Sequence, residues 1–234
     1  MTLRLSVVVP VYNEGEAIVP ILDRLFESIT LPCEVLAVFD TNEDTTRPYL
    51  EKYAQAEPRL VPTLNTYGKG PARALRYGLE HANADVVVVT MADGSDDAEQ
   101  IDHLARLVER GVVVAVASRY MQGGRQVAAA SFKSTLSRLA GVSLYWFGRV
   151  GTHDATNSFK AYDRHFVEKV GIESDAGFEL GLEMVAKARR RRLPVAEIPT
   201  IWLDRAAGQS NFKVRAWIPR YLRWYRYSFG PRIT

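Results

Sequence analysis

The sequence predicts an α/β fold built on a mostly parallel sheet with helices on both faces. Three observations lead there. Near-continuous apolar runs recur, such as LSVVVPVY (5–12) and DVVVVTM (85–91), and these suit strands buried on both faces. Between them lie segments whose apolar residues return at helical spacing. The runs also end in polar or charged residues, and the carboxyl edge of a parallel sheet is where ligands bind.

LSVVVPVY is the first strand, and Asn13 with Glu16 reads as a capping box for the helix that follows. Ile18, Ile21, Leu22, Leu25 and Ile29 form the apolar stripe of that helix. EVLAVFD (34–40) is the second strand, followed by the acidic turn DTNEDTT and a helix from about Pro48 to Gln55. LVPTLN (60–65) is a third, weaker strand. YGKG (67–70) precedes a helix with Pro71 in its first turn, where a missing N–H costs nothing. DVVVVTM is the fourth strand, with a helix over about Asp97 to Arg110, and GVVVAVASR (111–119) is the fifth. The strand ends place Pro10, Tyr12, Asn13, Glu14, Asp40, Met91, Asp93, Ser118 and Arg119 around one crevice.

The second half is less regular. Gly123 and Gly124 mark a mobile loop, and FKSTLSRLAGVSLYWFG (132–148) reads as a helix apolar on one side. THDATNSFKAY (152–162) is a loop entering a strand, GFELGLEMVAKARRRR (177–192) a helix with a basic end that suits its dipole, and VAEIPTIWLD (195–204) a strand. DRAAGQSNFK (204–213) is a polar loop. The chain divides into a body, 1–213, and an aromatic, basic amphipathic helix, 214–234. Trp217, Tyr221, Trp224, Tyr225 and Phe229 spread around that helix among Arg220, Arg223 and Arg226, which predicts a helix lying on a membrane surface. The competing reading packs it on the body or on a partner.

Composition narrows the classes. With 234 residues and 47% hydrophobic content, one well-filled domain with a modest extension is expected. A single cysteine, Cys33, excludes a disulfide framework and suits a reducing compartment. The N-terminus lacks a signal-peptide apolar stretch, and no apolar run reaches the ~18 residues of a spanning helix. Net charge is only +3, but KARRRR (187–192) and the C-terminal tail concentrate the basic residues; nucleic acid, an anionic membrane and a phosphorylated substrate all fit such patches.

There is no Walker lysine motif and no GxGxxG after the first strand, and no histidine or cysteine cluster suggests structural zinc. Asp40 and Asp44 follow the second strand, Asp93, Asp96 and Asp97 the fourth, and Arg119 the fifth; Arg205 and Lys213 flank the late loop. Each has an ordinary reading alone: Asp96 and Asp97 head a helix and are expected to cap it. Together, carboxylates and basic groups at one sheet edge suit a divalent cation bridging a diphosphate.

VVVPVYNE, the Asp40-x-x-x-Asp44-x-Thr46 spacing, YGKGPARAL, VVVTMADGSDD and ASRYMQGG resemble family 2 glycosyltransferases of the GT-A fold, with a Rossmann-like mixed, mostly parallel sheet. DATNSFKAY and DRAAGQSNFK are similar to the polyprenol-phosphate (dolichol-phosphate) sugar transferases, and the resemblance covers about residues 4–215. It implies an inverting transfer of a sugar from a nucleotide diphosphate to a polyprenyl phosphate. GDP-mannose is the favoured donor and UDP-glucose the second, with Mg2+ or Mn2+ as cofactor. It implies work at the cytoplasmic face of a membrane, with no nucleic acid partner.

Residue by residue, the resemblance gives Pro10, Tyr12, Glu14 and Asp40 to the base and ribose and adds Lys69 to the donor site. Ala92 and Asp93 fall at the diphosphate and metal, Ser95 where the family often has a metal-ligating glutamine, and Arg205 with Lys213 at the donor phosphates. Arg119 and Arg138 receive the acceptor phosphate, and Asp154 sits near the transferred sugar as a general base or a sugar-ordering group. Phe39, Met91 and Asn211 depart from the pattern; Met91 stands where the first acid of an Asp-x-Asp pair would be. Two other classes stay open. One is a nucleotidyltransferase, although such enzymes carry a glycine-rich basic loop where this chain has PVYNEGE. The other is a non-catalytic nucleotide-sugar-binding protein, which Met91 makes credible.

Overall fold

The structure is a computed structural model that describes residues 2–127, 132–175, 177–203 and 214–233, without the side chains of 132–134 and 214–217. The first half follows the expected alternation: β1 (Leu5–Val11), α1 (Ile18–Ser28), β2 (Cys33–Phe39), α2 (Arg47–Ala56), β3 (Leu60–Leu64), α3 (Pro71–His81), β4 (Val86–Val89), α4 (Ile101–Glu109) and β5 (Val114–Ser118). Then come β6 (Arg125–Val127), α5 (Phe132–Ser143), a π-helical turn (Leu144–Gly148), β7 (Lys160–Asp163), α6 (Arg164–Val170), α7 (Leu180–Arg191), β8 (Val195–Pro199), β9 (Ile201–Leu203) and α8 (Val214–Ser228).

Seven strands form one sheet in the order β3-β2-β1-β4-β7-β5-β8. All pairs are parallel except those of β7, which runs antiparallel between β4 and β5. Every residue of β1, β4 and β5 is buried, which is why these strands read as unbroken apolar runs. One face is covered by α1, α2 and α4 through Ile18, Leu22, Leu50, Ile101 and Leu104. The other is covered by α3, α6, α7 and α8 through Leu75, Leu79, Phe166, Val185 and Trp224.

Four expectations are corrected. Asn13 does not cap a helix: it holds a left-handed φ of 54°, and its side-chain oxygen accepts the Thr45 N–H at 3.1 Å. VAEIPTIWLD is two strands in different sheets, because the chain breaks at Thr200, whose N–H and C=O bond Ser118 and Arg125 instead. Gly123 and Gly124 form a tight turn on the end of β5; a Cβ at Gly124 would lie 2.4 Å from the Ser118 carbonyl oxygen. The aromatics of α8 largely face the protein. Trp224 is 2% exposed, and Tyr221, Tyr225 and Tyr227 pack against the same core. Buried Lys187 on α7 holds that contact, bonding Glu183 at 2.6 Å with its ammonium 5.2 Å from the Trp224 ring. Among the described residues, no helix is long and apolar enough to cross a membrane.

Candidate active site

The loop after β4 carries the first cluster. Gly94 turns the chain at a φ of 69°, which favours glycine, and this folds Ser95 back onto Asp93. Asp93 Oδ1 accepts both the N–H of Ser95 at 3.1 Å and its hydroxyl at 2.5 Å. Ser95 therefore orients Asp93. Ala92 is buried beside it. Asp97 caps the following helix by accepting the Glu99 N–H. Asp96 does not cap. It turns inward to accept the Met91 N–H at 3.0 Å and the Thr90 hydroxyl at 3.1 Å. Burial raises its pKa to about 6, against the Met91 hydrogen bond and with the Asp93 charge adding to the rise. Among the described residues, no three acidic, histidine or cysteine groups converge as a ready-made metal cage.

The loops after β1 and β2 lock together beside this cluster. Asp44 accepts the N–H groups of Asn13 and Thr46, and the Thr46 hydroxyl accepts the Glu14 N–H at 2.8 Å. Asp40 accepts the Asn65 amide and the Gly70 N–H, each at 2.8 Å, so it fixes the YGKG turn that presents Lys69 to solvent. Pro10 is buried in β1, whereas Tyr12 is exposed at its end.

The end of β5 carries the second cluster. Arg119 pairs with fully buried Asp154 through Nε–Oδ2 at 2.7 Å and Nη2–Oδ1 at 2.9 Å, and its own N–H adds a third bond at 3.0 Å. Burial would lower the Arg119 pKa, but the Asp154 charge holds it above the usual arginine range. The guanidinium lies 4.9 Å from the Tyr120 ring and 6.0 Å from that of Trp202. Tyr120 also feels the charge of exposed Arg138 on α5, so both arginines act on one phenol. His153, next to Asp154, is pinned by Glu197 at 2.5 Å and stacked by Tyr145 at 3.6 Å.

β9 ties the clusters together. Trp202 reaches Arg119, and the next residue, Leu203, donates its N–H to the Ser95 carbonyl at 3.1 Å. Arg205 and Lys213 lie outside the described residues.

Sequence reasoning missed Lys160. It pairs across β7 with Val89 of β4 and Val116 of β5, and its fully buried ammonium donates to the Asn157 carbonyl. The signal was a lysine between Phe159 and Ala161 inside a short strand. Burial pulls its pKa down to about 7, with Asp154 and Asp96 opposing and Arg119 adding to the fall. The unfolded chain keeps this proton up to the ordinary lysine range, ~10.4, while the folded chain releases it near 7. Folding should therefore become more favourable as pH climbs through that window. The expected result is a melting temperature that rises from pH 7 to 9 in the native protein and much less in Lys160→Met. Equal slopes in the two proteins would refute this.

Residues 6–171 match the family described as Glycosyl transferase family 2. The chain is 28% identical to the polyprenol monophosphomannose synthase of Mycolicibacterium smegmatis, over 92% of this chain and 87% of that protein. It is 28% identical to the dolichol-phosphate mannosyltransferase of Pyrococcus furiosus, over 94% of this chain and 62% of that one. The mannosyltransferase PcManGT from Pyrobaculum calidifontis, solved with GDP-Man and Mn2+, superposes with a TM-score of 0.64 at 21% identity, over 95% of this chain and 62% of its own. The sheet order, the two loop clusters at its carboxyl edge and the motif match agree on the GT-A fold, and the chain belongs to glycosyl transferase family 2.

Proposed function

We propose that this enzyme moves mannose, with inversion, from GDP-mannose to a polyprenyl phosphate, working peripherally at the cytoplasmic face of a membrane. The observation that carries the reading is the placement of the Asp93 loop and the Arg119–Asp154 pair at one carboxyl edge, bridged by Trp202 and Leu203. One cluster suits a cation and a diphosphate; the other suits a phosphate monoester. The names of the relatives supply the lipid class, and the GDP-Man and Mn2+ bound to the structural neighbour support donor and cofactor.

The residues fit a divalent cation. Asp93 offers a hard oxygen ligand already oriented by Ser95. One carboxylate with phosphate oxygens is a donor set that Mg2+ accepts. A bound Mg2+ or Mn2+ would neutralise charge on the departing diphosphate. Pro10, Tyr12, Glu14, Asp40 and Lys69 border the donor side, and Arg205 and Lys213 are assigned to its phosphates. Arg119 and Arg138 receive the acceptor phosphate. That phosphate, with a second pKa near ~6, is largely dianionic at neutral pH and attacks the anomeric carbon as the bond to the diphosphate breaks. No strong base is needed. Both oxygens of Asp154 accept from Arg119, so Asp154 acts by fixing the guanidinium.

The test is incubation with GDP-mannose or UDP-glucose and a short-chain polyprenyl phosphate, with products read by mass. A mannosyl phospholipid is expected, and none in excess chelator. Nucleotide-sugar binding without any product would favour the non-catalytic reading, and a transferred nucleotide would favour the nucleotidyltransferase.

A further inference from the structure

The two elements that wall the acceptor arginine both turn apolar side chains outward. On α5 the inner face meets the site: Ser137 bonds the Tyr120 hydroxyl and Thr156, and Gly141 packs so closely that a Cβ there would lie 2.1 Å from the His153 carbonyl oxygen. The opposite stripe, continued by the π-helical turn, presents Leu136, Leu139 at 63% exposure, Trp146 at 67% and Phe147 at 78%. The β6–β9 ribbon repeats the pattern. Its inner residues, Gln126 and Trp202, contact Tyr120 and Arg119. Its outer residues, Val127, Ile201 and Leu203, are all exposed, and Val127 pairs with Leu203. Leaving this many large apolar side chains in water, on two elements around one site, marks an interaction surface.

We propose that this outer face of α5, the π-helical turn and the β6–β9 ribbon docks on an anionic lipid bilayer. The proposal rests on the lipid-phosphate reading above and specifies how the site meets its acceptor. Charge favours a bilayer over a second copy of the chain. Exposed Arg138 lies on α5, and exposed Arg149 follows the turn directly. Exposed tryptophan and phenylalanine flanked by arginines match the headgroup layer of an anionic membrane. Docked this way, the elements that touch Arg119 and its neighbour Tyr120 also meet the bilayer, which brings the guanidinium toward the headgroups. A lipid phosphate can then reach it while its alkyl chain stays in the bilayer. The same helix orders the site and meets the lipid.

Co-sedimentation with vesicles of phosphatidylcholine and phosphatidylglycerol, without substrates, tests the surface directly. The native protein is expected to bind, and Trp146→Ser/Phe147→Ser and Ile201→Thr/Leu203→Thr to lose at least tenfold in partitioning. Leu222→Ser on α8 should bind as the native protein does. Transfer to a short-chain soluble acceptor should survive Trp146→Ser/Phe147→Ser, which shows that the variant is folded. Absent native binding, or unchanged binding by both double variants, overturns the proposal. So does a native dimer, by light scattering, that these substitutions dissociate without altering vesicle binding. Vesicle binding without any sugar transfer would instead defeat the functional reading and leave the docking surface standing.

Discussion

Arg119→Ala is expected to abolish transfer and to cost about 3–5 kcal/mol of stability, because it strips the partner from a buried carboxylate. Asp154 is fully buried, and both its oxygens are directed at Arg119, so the penalty falls on an ion with no water to turn to. Arg119→Lys separates the two roles. Lysine keeps the charge but cannot form the two parallel bonds of a guanidinium. That variant should stay folded, raise the KM for the lipid phosphate at least tenfold and leave nucleotide-sugar affinity unchanged. Denaturant unfolding, acceptor kinetics and calorimetric titration with the nucleotide sugar read the three quantities. An equal loss of donor affinity would move Arg119 to the donor side.

Asp93→Asn is expected to lower kcat by about a thousandfold, the scale on which removal of one preorganised charge-stabilising group is felt. The amide keeps the shape of the turn and can still accept from Ser95, so the change isolates the charge. Met91→Ala should retain most activity. The contribution of Met91 to the loop is its N–H, which bonds Asp96 and which alanine also has. If purified enzyme works at full rate in excess chelator, Asp93 has another role.

The first half of the fold was legible because its buried strands leave an apolar signature that needs no knowledge of neighbours. Position within the sheet leaves none. SFKAY reads as a strand, but its insertion between β4 and β5 depends on the path of residues 149–159, where Asp154 and Asn157 bond back to Arg119 and the Ala117 carbonyl. Lys160 was missed for the same reason: only that pairing brings it beneath the site. Asp40, Asp44 and Asp93 were legible as a spacing, while the inward turn of Asp96 depends on the N–H that Met91 presents at the end of β4. α8 misled because aromatic residues all round a helix suit lipid, yet α7 and the π-helical turn both contact it, and Trp224 and Tyr225 pack into the core.

The late arrival of β7 also sets an order of assembly. Val89 and Val116 both pair with Lys160, so β4 and β5 have no shared partner until the chain has been made past that point. A nascent polypeptide that has just finished β5 has no β7 to cover the β4 border, and an open, valine-rich border invites pairing with other chains. Joining distant segments is slow because the loop must close before the contact forms. The strand that completes the crevice is therefore also the strand that covers that border, and residues 119–159 must be made before it can.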